Sequence, residues 1–505
     1  MALADYYARG ALAASQVMAG FDEQRVRAAL EDVRVGVAIG TDAAGSPEGR
    51  ALVDLLIRLL ARLYPTLVVR CEAIDQSTAV DAMSLARRIN PKVEFASVPT
   101  VEVAIGTIRS GGGGWPRIFV GSAGWNATLA TTSPRPVGAS ENPLGAGVAA
   151  CLASANLFRL VFLGEKAHMD RDITFSVLEG ESRHGGDPAL RGSLGEVVLV
   201  GAGAIGNGAA WALSRLPMNG VLHLVDEEAI DLGNLQRYVL CERHDENRTK
   251  VEALSPYFTG ELRGVGHAQD LASFVATNGY TWPRMLLGLD SARDRRAAQA
   301  SLPRWIANAW TQPGDLGVSI HDFVRGACVA CLYLPEGVLE NEDAIITASF
   351  GVPEKLMQIR GLLYKGEGVP RDLLEAIATA RTIPLERLLP FEDRPVRSLY
   401  TEGFCGGAVI PLGEAGTPRQ EVHVPLAHQS ALAGVLCAAA VVREALGVSQ
   451  PGTQITRIDV LRPLGLCLTQ PAAKDPRNIC ICQDADYQEA YRRKYWPSSA
   501  VDLRE

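Results

Sequence analysis

An apolar run, a glycine loop and two groups of polar residues stand at fixed separations between residues 197 and 250, an order that few folds accommodate. Val197-Val-Leu-Val200 reads as a buried strand and Gly201-Ala-Gly-Ala-Ile-Gly206 as a tight turn. A helix continues through Leu216, and a second strand, Val221-Leu-His-Leu-Val225, ends on Asp226. A strand, a glycine turn and a helix N-terminus form a βαβ cradle whose backbone N–H groups and helix dipole receive phosphate. Asp226 follows Gly206 by 20 residues, the spacing at which a carboxylate accepts hydrogen bonds from ribose hydroxyls. By itself this pattern suggests NAD.

The residues that follow point to a different chemistry. Asn234-Leu-Gln-Arg237 comes directly after the Asp226 strand, and Lys250 closes Asn247-Arg-Thr-Lys250. A dinucleotide must keep its pyrophosphate intact, and the glycine loop suffices for that. A triphosphate attacked at its α-phosphorus needs several cations, and Arg237 and Lys250 supply them. A further strand, Met285-Leu-Leu-Gly-Leu289, leads to Asp290, a position suited to a carboxylate that holds Mg²⁺ on phosphates. Together these residues describe an ATP-dependent adenylation site.

The ordered set Gly201, Gly203, Gly206, Asp226, Asn234, Arg237, Lys250 and Asp290 resembles the superfamily of ubiquitin-activating enzymes and of the ThiF-type sulfur-carrier adenylyltransferases of thiamine and molybdopterin synthesis. Residue by residue, the resemblance implies ribose binding by Asp226, phosphate contacts by Asn234, Arg237 and Lys250, and Mg²⁺ binding by Asp290. It also implies an arginine reaching the triphosphate from the N-terminal helix of the partnering fold, where Arg9 stands in Tyr6-Tyr-Ala-Arg9. An ordinary surface arginine on an amphipathic helix is the alternative. Asp290-Ser-Ala-Arg-Asp-Arg295 resembles the family's Asp followed by an arginine on the next helix, a place from which Arg295 orients Asp290 or contacts nucleotide.

At 505 residues the chain should hold two or three domains, since single cores seldom grow past roughly 250 to 300 residues. A formal net charge of −8, with no Lys/Arg-rich run, argues against a nucleic-acid partner and for a protein one. The N-terminus shows no signal-peptide pattern, and no apolar run is expected to reach the ~18 to 20 residues that span a bilayer, so the expected setting is the cytoplasm.

The first 190 residues also alternate between strand and helix: Val33-Arg-Val-Gly-Val-Ala-Ile39, a helix from Gly49 to Leu63, and further strands near residues 66–70 and 117–120. Their first turn, Gly40-Thr-Asp-Ala-Ala-Gly45, lacks the glycine geometry, and the second strand leads to Cys71-Glu-Ala without the Asp, Asn-Leu-x-Arg and Lys series. Yet residues 142–159 echo residues 424–443, both small-residue-rich after a Pro-Leu entry. Shared Ala-rich composition would give the same echo, but a degenerate copy packed on the active one is the favoured reading. The expected fold is therefore α/β, with two Rossmann-like adenylation folds as an intramolecular pseudodimer and a small helical insertion. The expected segments are residues 1–190 (inactive fold), 191–335 (active fold, first part), 336–420 (insertion) and 421–505 (active fold, second part). Whether the pseudodimer pairs again as a homodimer stays open.

Ten cysteines in a chain of this kind suggest buried thiols, metal or catalysis before disulfides. Cys328-Val-Ala-Cys331 and Cys480-Ile-Cys482 make two close pairs whose thiolates suit a structural Zn²⁺, although the second spacing is one residue shorter than the family's usual Cys-x-x-Cys. Buried free thiols are the alternative. Inside the insertion, residues 353–364 and 370–380 read as helices, with a third near Leu385. Cys405, in Tyr400-Thr-Glu-Gly-Phe-Cys405-Gly-Gly, is flanked by glycines ahead of Glu421 and the helix entered at Pro425. Bare backbone leaves room for an incoming chain terminus, and its N–H groups favour a thiolate or an oxyanion, which makes Cys405 the candidate nucleophile. A core thiol in a tight turn is the bland reading. Cys71, Cys151, Cys241, Cys437 and Cys467 read as structural.

The expected function is ATP·Mg²⁺-dependent adenylation of the C-terminus of a ubiquitin-like protein, thioester formation on Cys405, and transfer to a conjugating-enzyme-like partner, with antiviral defence a plausible setting for a bacterial operon of this kind. The competing classes are a sulfur-carrier adenylyltransferase that does not use Cys405, a nucleotide-binding scaffold and, last, a dehydrogenase.

Overall fold

The computed structural model describes residues 3–17, 23–109, 113–163, 169–178, 189–312, 314–335, 342–405, 424–449, 452–464 and 467–497. The chain divides into two compact units, one made of residues 1–334 and 425–505, the other of residues 335–424.

The first unit contains two sheets. The N-terminal sheet comprises β1 (Val35–Ile39), β2 (Thr66–Cys71), β3 (Glu94–Phe95), β4 (Val101–Ile105), β5 (Arg117–Ala123), β6 (Asn126–Ala130) and β7 (Ile173–Ser176), ordered β3-β2-β1-β4-β5-β6-β7. The second comprises β8 (Ser193–Val200), β9 (Asn219–Val225), β10 (Leu262–His267), β11 (Arg284–Leu287), β12 (Trp305–Gln312), β13 (Asp315–Asp322), β14 (Gln454–Ile458) and β15 (Leu468–Pro471), ordered β10-β9-β8-β11-β12-β13-β14-β15. In each, the first five strands in sequence pair in parallel and the later ones antiparallel. The two sheets thus repeat one topology, the second adding an edge strand, and the expected duplicated Rossmann-like fold is present. Strands fully buried between helices read as continuous apolar runs, which is why β1, β4 and the end of β8 are Val- and Ile-rich rather than alternating.

The sequence echo has a structural basis. The helices Pro143–Phe158 and Ala427–Ala445 occupy equivalent places after the β5–β6 and β12–β13 hairpins, and they pack on each other. Small residues permit this close approach, since a Cβ at Gly147 would lie 3.1 Å from Val435 Cγ2, and they let Ala427–Ala445 pack as closely on the helix Ala204–Leu213, where a Cβ at Gly434 would lie 2.3 Å from the Ile205 carbonyl oxygen. The same composition corrects one expectation. Residues 143–163 form a helical stretch of 21 residues with mean hydropathy 1.8, long and apolar enough by length and composition to cross a bilayer, but 78% of its apolar window is buried inside the protein. It is a core helix that must be apolar on every side because neighbours surround it.

Other boundaries shift slightly. The helix after the glycine loop ends at Leu213 rather than Leu216, and β11 ends at Leu287, leaving Gly288 and Leu289 as the lead to Asp290. In the N-terminal fold the turn after β1 is a short helix, Thr41–Gly45, not an open loop. The Asp42 carboxylate accepts from the Thr107 amide at 2.9 Å and from the Val137 amide at 3.0 Å. It sits so close to the loop that a Cβ at Gly106 would lie 2.4 Å from it. An internal anion thus takes up the amides at the mouth where the second fold presents its glycine loop.

The second unit is helical, built from Glu342–Phe350, Leu356–Lys365 and Arg371–Arg381, with short turns at Leu385–Arg387, Leu389–Phe391 and Val396–Ser398 and a wider turn at Leu399–Cys405. Ile346, Phe350, Ile359, Leu373, Leu374, Ile377, Leu399 and Phe404 form its core. The helix Glu342–Phe350 was not expected from sequence. The Cys405 side chain and Glu421 lie outside the described residues.

Candidate functional site

The glycine loop is built as its sequence demands. Gly201 has φ +91°, a conformation that residues with a Cβ rarely adopt. A Cβ there would lie 2.8 Å from the Gly288 carbonyl oxygen, and one at Gly206 would lie 2.2 Å from the Gly201 carbonyl oxygen. Gly203 is the N-cap of the helix Ala204–Leu213. Asn207, fully buried, donates from its amide to the carbonyls of Ala202 (2.9 Å) and Gly203 (3.1 Å) and accepts from the Leu240 amide (3.1 Å), tying the loop to the residues after Arg237.

Asp226 leaves the end of β9 and accepts from the Ala202 amide at 2.8 Å and the Glu228 amide at 2.9 Å. Burial raises its pKa, opposed chiefly by the Lys250 charge. Lys250 arrives because residues 228–230 and 247–250 run antiparallel, with the Ile230 amide donating to the Arg248 carbonyl at 2.9 Å and the Lys250 amide to the Glu228 carbonyl at 3.0 Å. Its Nζ stands 3.7 Å from Asp226 Oδ1, pairs with Glu228 and lies 5.7 Å from the centre of the Tyr238 ring. Burial works against the ammonium, but Tyr238, Asp226 and Glu228 outweigh it and hold the lysine charged.

Asn234 lies in the short helix Leu232–Gln236, where its side-chain oxygen accepts from the Asp231 amide at 3.1 Å. This brings Arg237 to the loop's edge, its guanidinium 5.7 Å from the centre of the Tyr238 ring, while the Tyr238 hydroxyl lies 3.4 Å from the place of a Cβ on Gly203. Arg9, on the helix Tyr7–Val17, packs its side chain over Gly233, where a Cβ would lie 3.2 Å from Arg9 Nε. Burial, then the neighbouring charge of Arg237, lowers the Arg9 pKa to about 10. Each of these two arginines has a buried Nη1 with no hydrogen-bond partner among the described residues. Two like charges brought together with unsatisfied donors are costly unless an anion completes the arrangement.

Asp290 is exposed beyond β11. Arg295 does not reach it: its guanidinium is buried and donates to Asn308 Oδ1 (2.6 Å), to the Tyr333 hydroxyl (2.7 Å) and to the Leu289 carbonyl. Arg295 therefore fixes the chain one residue ahead of Asp290, and these donors are committed to protein. Tyr238, Asn207 and Glu228 were not expected at the site from sequence. The first directly follows Arg237, the second directly follows the last loop glycine, and the third lies two residues past Asp226, so adjacency to the motif was the signal.

Cys328, Cys331, Cys480 and Cys482 converge, with their sulfur atoms all within 4.8 Å of one another. Cys328 Sγ is 3.4 Å from Cys480 Sγ, and Cys331 Sγ is 3.5 Å from Cys482 Sγ. Tetrahedral Zn–S bonds of about 2.3 Å place sulfurs about 3.8 Å apart, so this spacing suits a metal and far exceeds a disulfide. The short Cys-x-Cys spacing is accommodated by a single 3₁₀ turn at Ile481–Gln483. Cys241 and Cys437 are buried, which pushes both thiols up to about 12, and Cys151 is raised by burial as well.

Residues 183–259, the segment carrying the glycine loop, Asp226, Arg237 and Lys250, match the ThiF family model, and residues 38–163 match the model described as Prokaryotic E2 family C. Together with the repeated Rossmann-like sheets, this defines a ThiF-type protein of the E1-like kind. The "Uncharacterized protein y4jF" of Sinorhizobium fredii (strain NBRC 101917 / NGR234) is 42% identical over 515 residues, covering 98% of each chain, and the chain belongs to its family. Solved structures with partial similarity include E. coli MccB with ATP (15% identity, TM-score 0.36, 57% of this chain and 67% of that one). Another is the microcin C7 biosynthetic enzyme MccB in complex with N-formylated MccA (14% identity, TM-score 0.37, 73% of this chain and 98% of that one).

Proposed function

We propose that the protein activates the C-terminal carboxylate of a ubiquitin-like protein with ATP, takes the acyl group onto Cys405 as a thioester and passes it to a conjugating-enzyme-like partner. The observation that carries the first step is the meeting of Arg9 and Arg237, each with an unpartnered buried Nη1, beside a glycine loop flanked by Asp226 and Lys250. In adenylation a carboxylate oxygen of the carrier attacks the α-phosphorus, the bond to the β-phosphate oxygen breaks, and pyrophosphate leaves. Loop amides, Arg9, Arg237 and Lys250 stabilise the charge that develops on the phosphates, and Asp226 binds the ribose. Asp290 would hold a Mg²⁺ ion, whose charge would offset that of the pyrophosphate leaving group. In the second step the Cys405 thiolate attacks the acyl carbon and AMP departs; an adenylate is a mixed anhydride that a thiol readily opens. The four-cysteine cluster holds a structural Zn²⁺ that ties the C-terminal segment to the second fold.

The test is incubation of the purified chain with ATP, Mg²⁺ and a glycine-terminated candidate carrier, read by pyrophosphate exchange and by nonreducing intact mass on wild type and Cys405→Ala. Carrier-dependent exchange in both, with a thiol-sensitive adduct in wild type alone, supports both steps. Exchange without any adduct would leave a sulfur-carrier-type adenylyltransferase, and no exchange with a validated carrier would reject adenylation.

A further inference from the structure

The N-terminal fold grips the strap after Arg237 through one helix. Along Pro47–Leu63, Asp54, Arg58 and Arg62 recur every four residues and line one face. Arg62, only 5% exposed, donates from Nη2 to the carbonyl oxygens of Tyr238 (2.5 Å) and Cys241 (2.6 Å) and from Nη1 to its own helix at Arg58 (2.8 Å). Arg58, 4% exposed, donates from Nη1 to the Val239 carbonyl (3.0 Å) and from Nε to Asp54 (3.0 Å). Asp54 in turn accepts from Trp211 Nε1 (2.7 Å) and Arg215 Nη2 (2.8 Å), at the far end of the helix that begins at the glycine loop. One face of a helix in the fold without the glycine motif therefore holds both halves of the nucleotide cradle.

We propose that Arg58 and Arg62 are positioning residues for ATP: by fixing the carbonyls of Tyr238, Val239 and Cys241 they set Arg237 and the Tyr238 ring against the glycine loop. The inference rests on the adenylation reading above. Charge-assisted bonds from a planar guanidinium hold two carbonyls at once, which a lysine ammonium on a flexible stem does not reproduce. The opposite side of the strap is held by the Asn207 side chain through the Leu240 amide, so loss of the arginine grip frees one side only. Displacement of a phosphate-binding group by about 1 Å can cost about 10²-fold in rate.

The test uses the full chain, with Mg·ATP affinity measured by calorimetry and thermal midpoints recorded alongside, on wild type, Arg62→Lys, Arg62→Ala and Arg58→Lys. The expected result is that Arg62→Lys stays folded but binds Mg·ATP at least about tenfold more weakly, and that added guanidinium ion restores binding to Arg62→Ala by refilling the two-carbonyl site. A lowered midpoint with unchanged ATP affinity in the folded lysine variants would make the arginines merely structural and overturn the proposal. If Arg62→Lys does not fold, Arg58→Lys decides by the same two readings. Failure of wild type to bind Mg·ATP would instead reject the nucleotide reading itself, which separates the two failures.

Discussion

Lys250 Nζ stands 3.7 Å from Asp226 Oδ1 in a corner where each side chain is less than a tenth exposed, so cation and carboxylate hold each other's charge. Lys250→Ala removes the cation proposed to bind phosphate and leaves the buried Asp226 carboxylate without the ammonium that opposes its burial. Carrier-dependent pyrophosphate exchange should fall by about 10²- to 10³-fold, the range for loss of one preorganised donor, with the fold retained by circular dichroism. Exchange within threefold or so of wild type would remove Lys250 from the reaction.

Arg9 comes from the N-terminal helix and meets Arg237 across Gly233. Arg9→Ala should lower the exchange rate by at least about tenfold while slightly raising the thermal midpoint of the ligand-free protein, because a like-charge contact with an unsatisfied buried donor is relieved. Opposite signs in activity and stability identify a functional rather than structural arginine.

Gly206→Ala places a Cβ 2.2 Å from the Gly201 carbonyl oxygen, which forces the loop open. Calorimetric binding of Mg·ATP should be lost. The equivalent change at Gly45 of the first fold, where a Cβ meets open space, should leave binding unchanged.

The cysteine cluster predicts one zinc per chain by native mass spectrometry. Cys328→Ser and Cys480→Ser should each lose the metal and lower the unfolding midpoint by several degrees, since metal binding contributes directly to folding. Full zinc retention in Cys480→Ser would show that the second pair does not ligate.

His428, wholly buried, has its pKa lowered to about 3, first by burial and then by the Arg159 charge. Its depressed value means that it contributes stability above the unfolded value near 6.5, lost progressively as pH falls toward 3. Between pH 6.5 and 5 the loss from this group is about 2 kcal/mol. Urea unfolding of His428→Leu should show a correspondingly shallower decline across that interval.

The sequence by itself determined the layout of the second fold's glycine-loop cradle, because a βαβ unit depends on residues close in the chain: glycines at 201, 203 and 206, the carboxylate after β9, and the polar series ending at Lys250. It also exposed the duplication, since the helices at 143 and 427 share a small-residue-rich run after a Pro-Leu entry, which suits helices that pack on each other. What only the tertiary structure decided was everything joined across long separations. Asp42 fills the first fold's mouth through amides at 107 and 137, the four cysteines meet across some 150 residues, and Arg62 caps carbonyls 176 and 179 positions away. A charged residue on an amphipathic helix reads as solvated until its partner is placed beside it, and that placement is a property of how two whole folds pack, which no local pattern encodes.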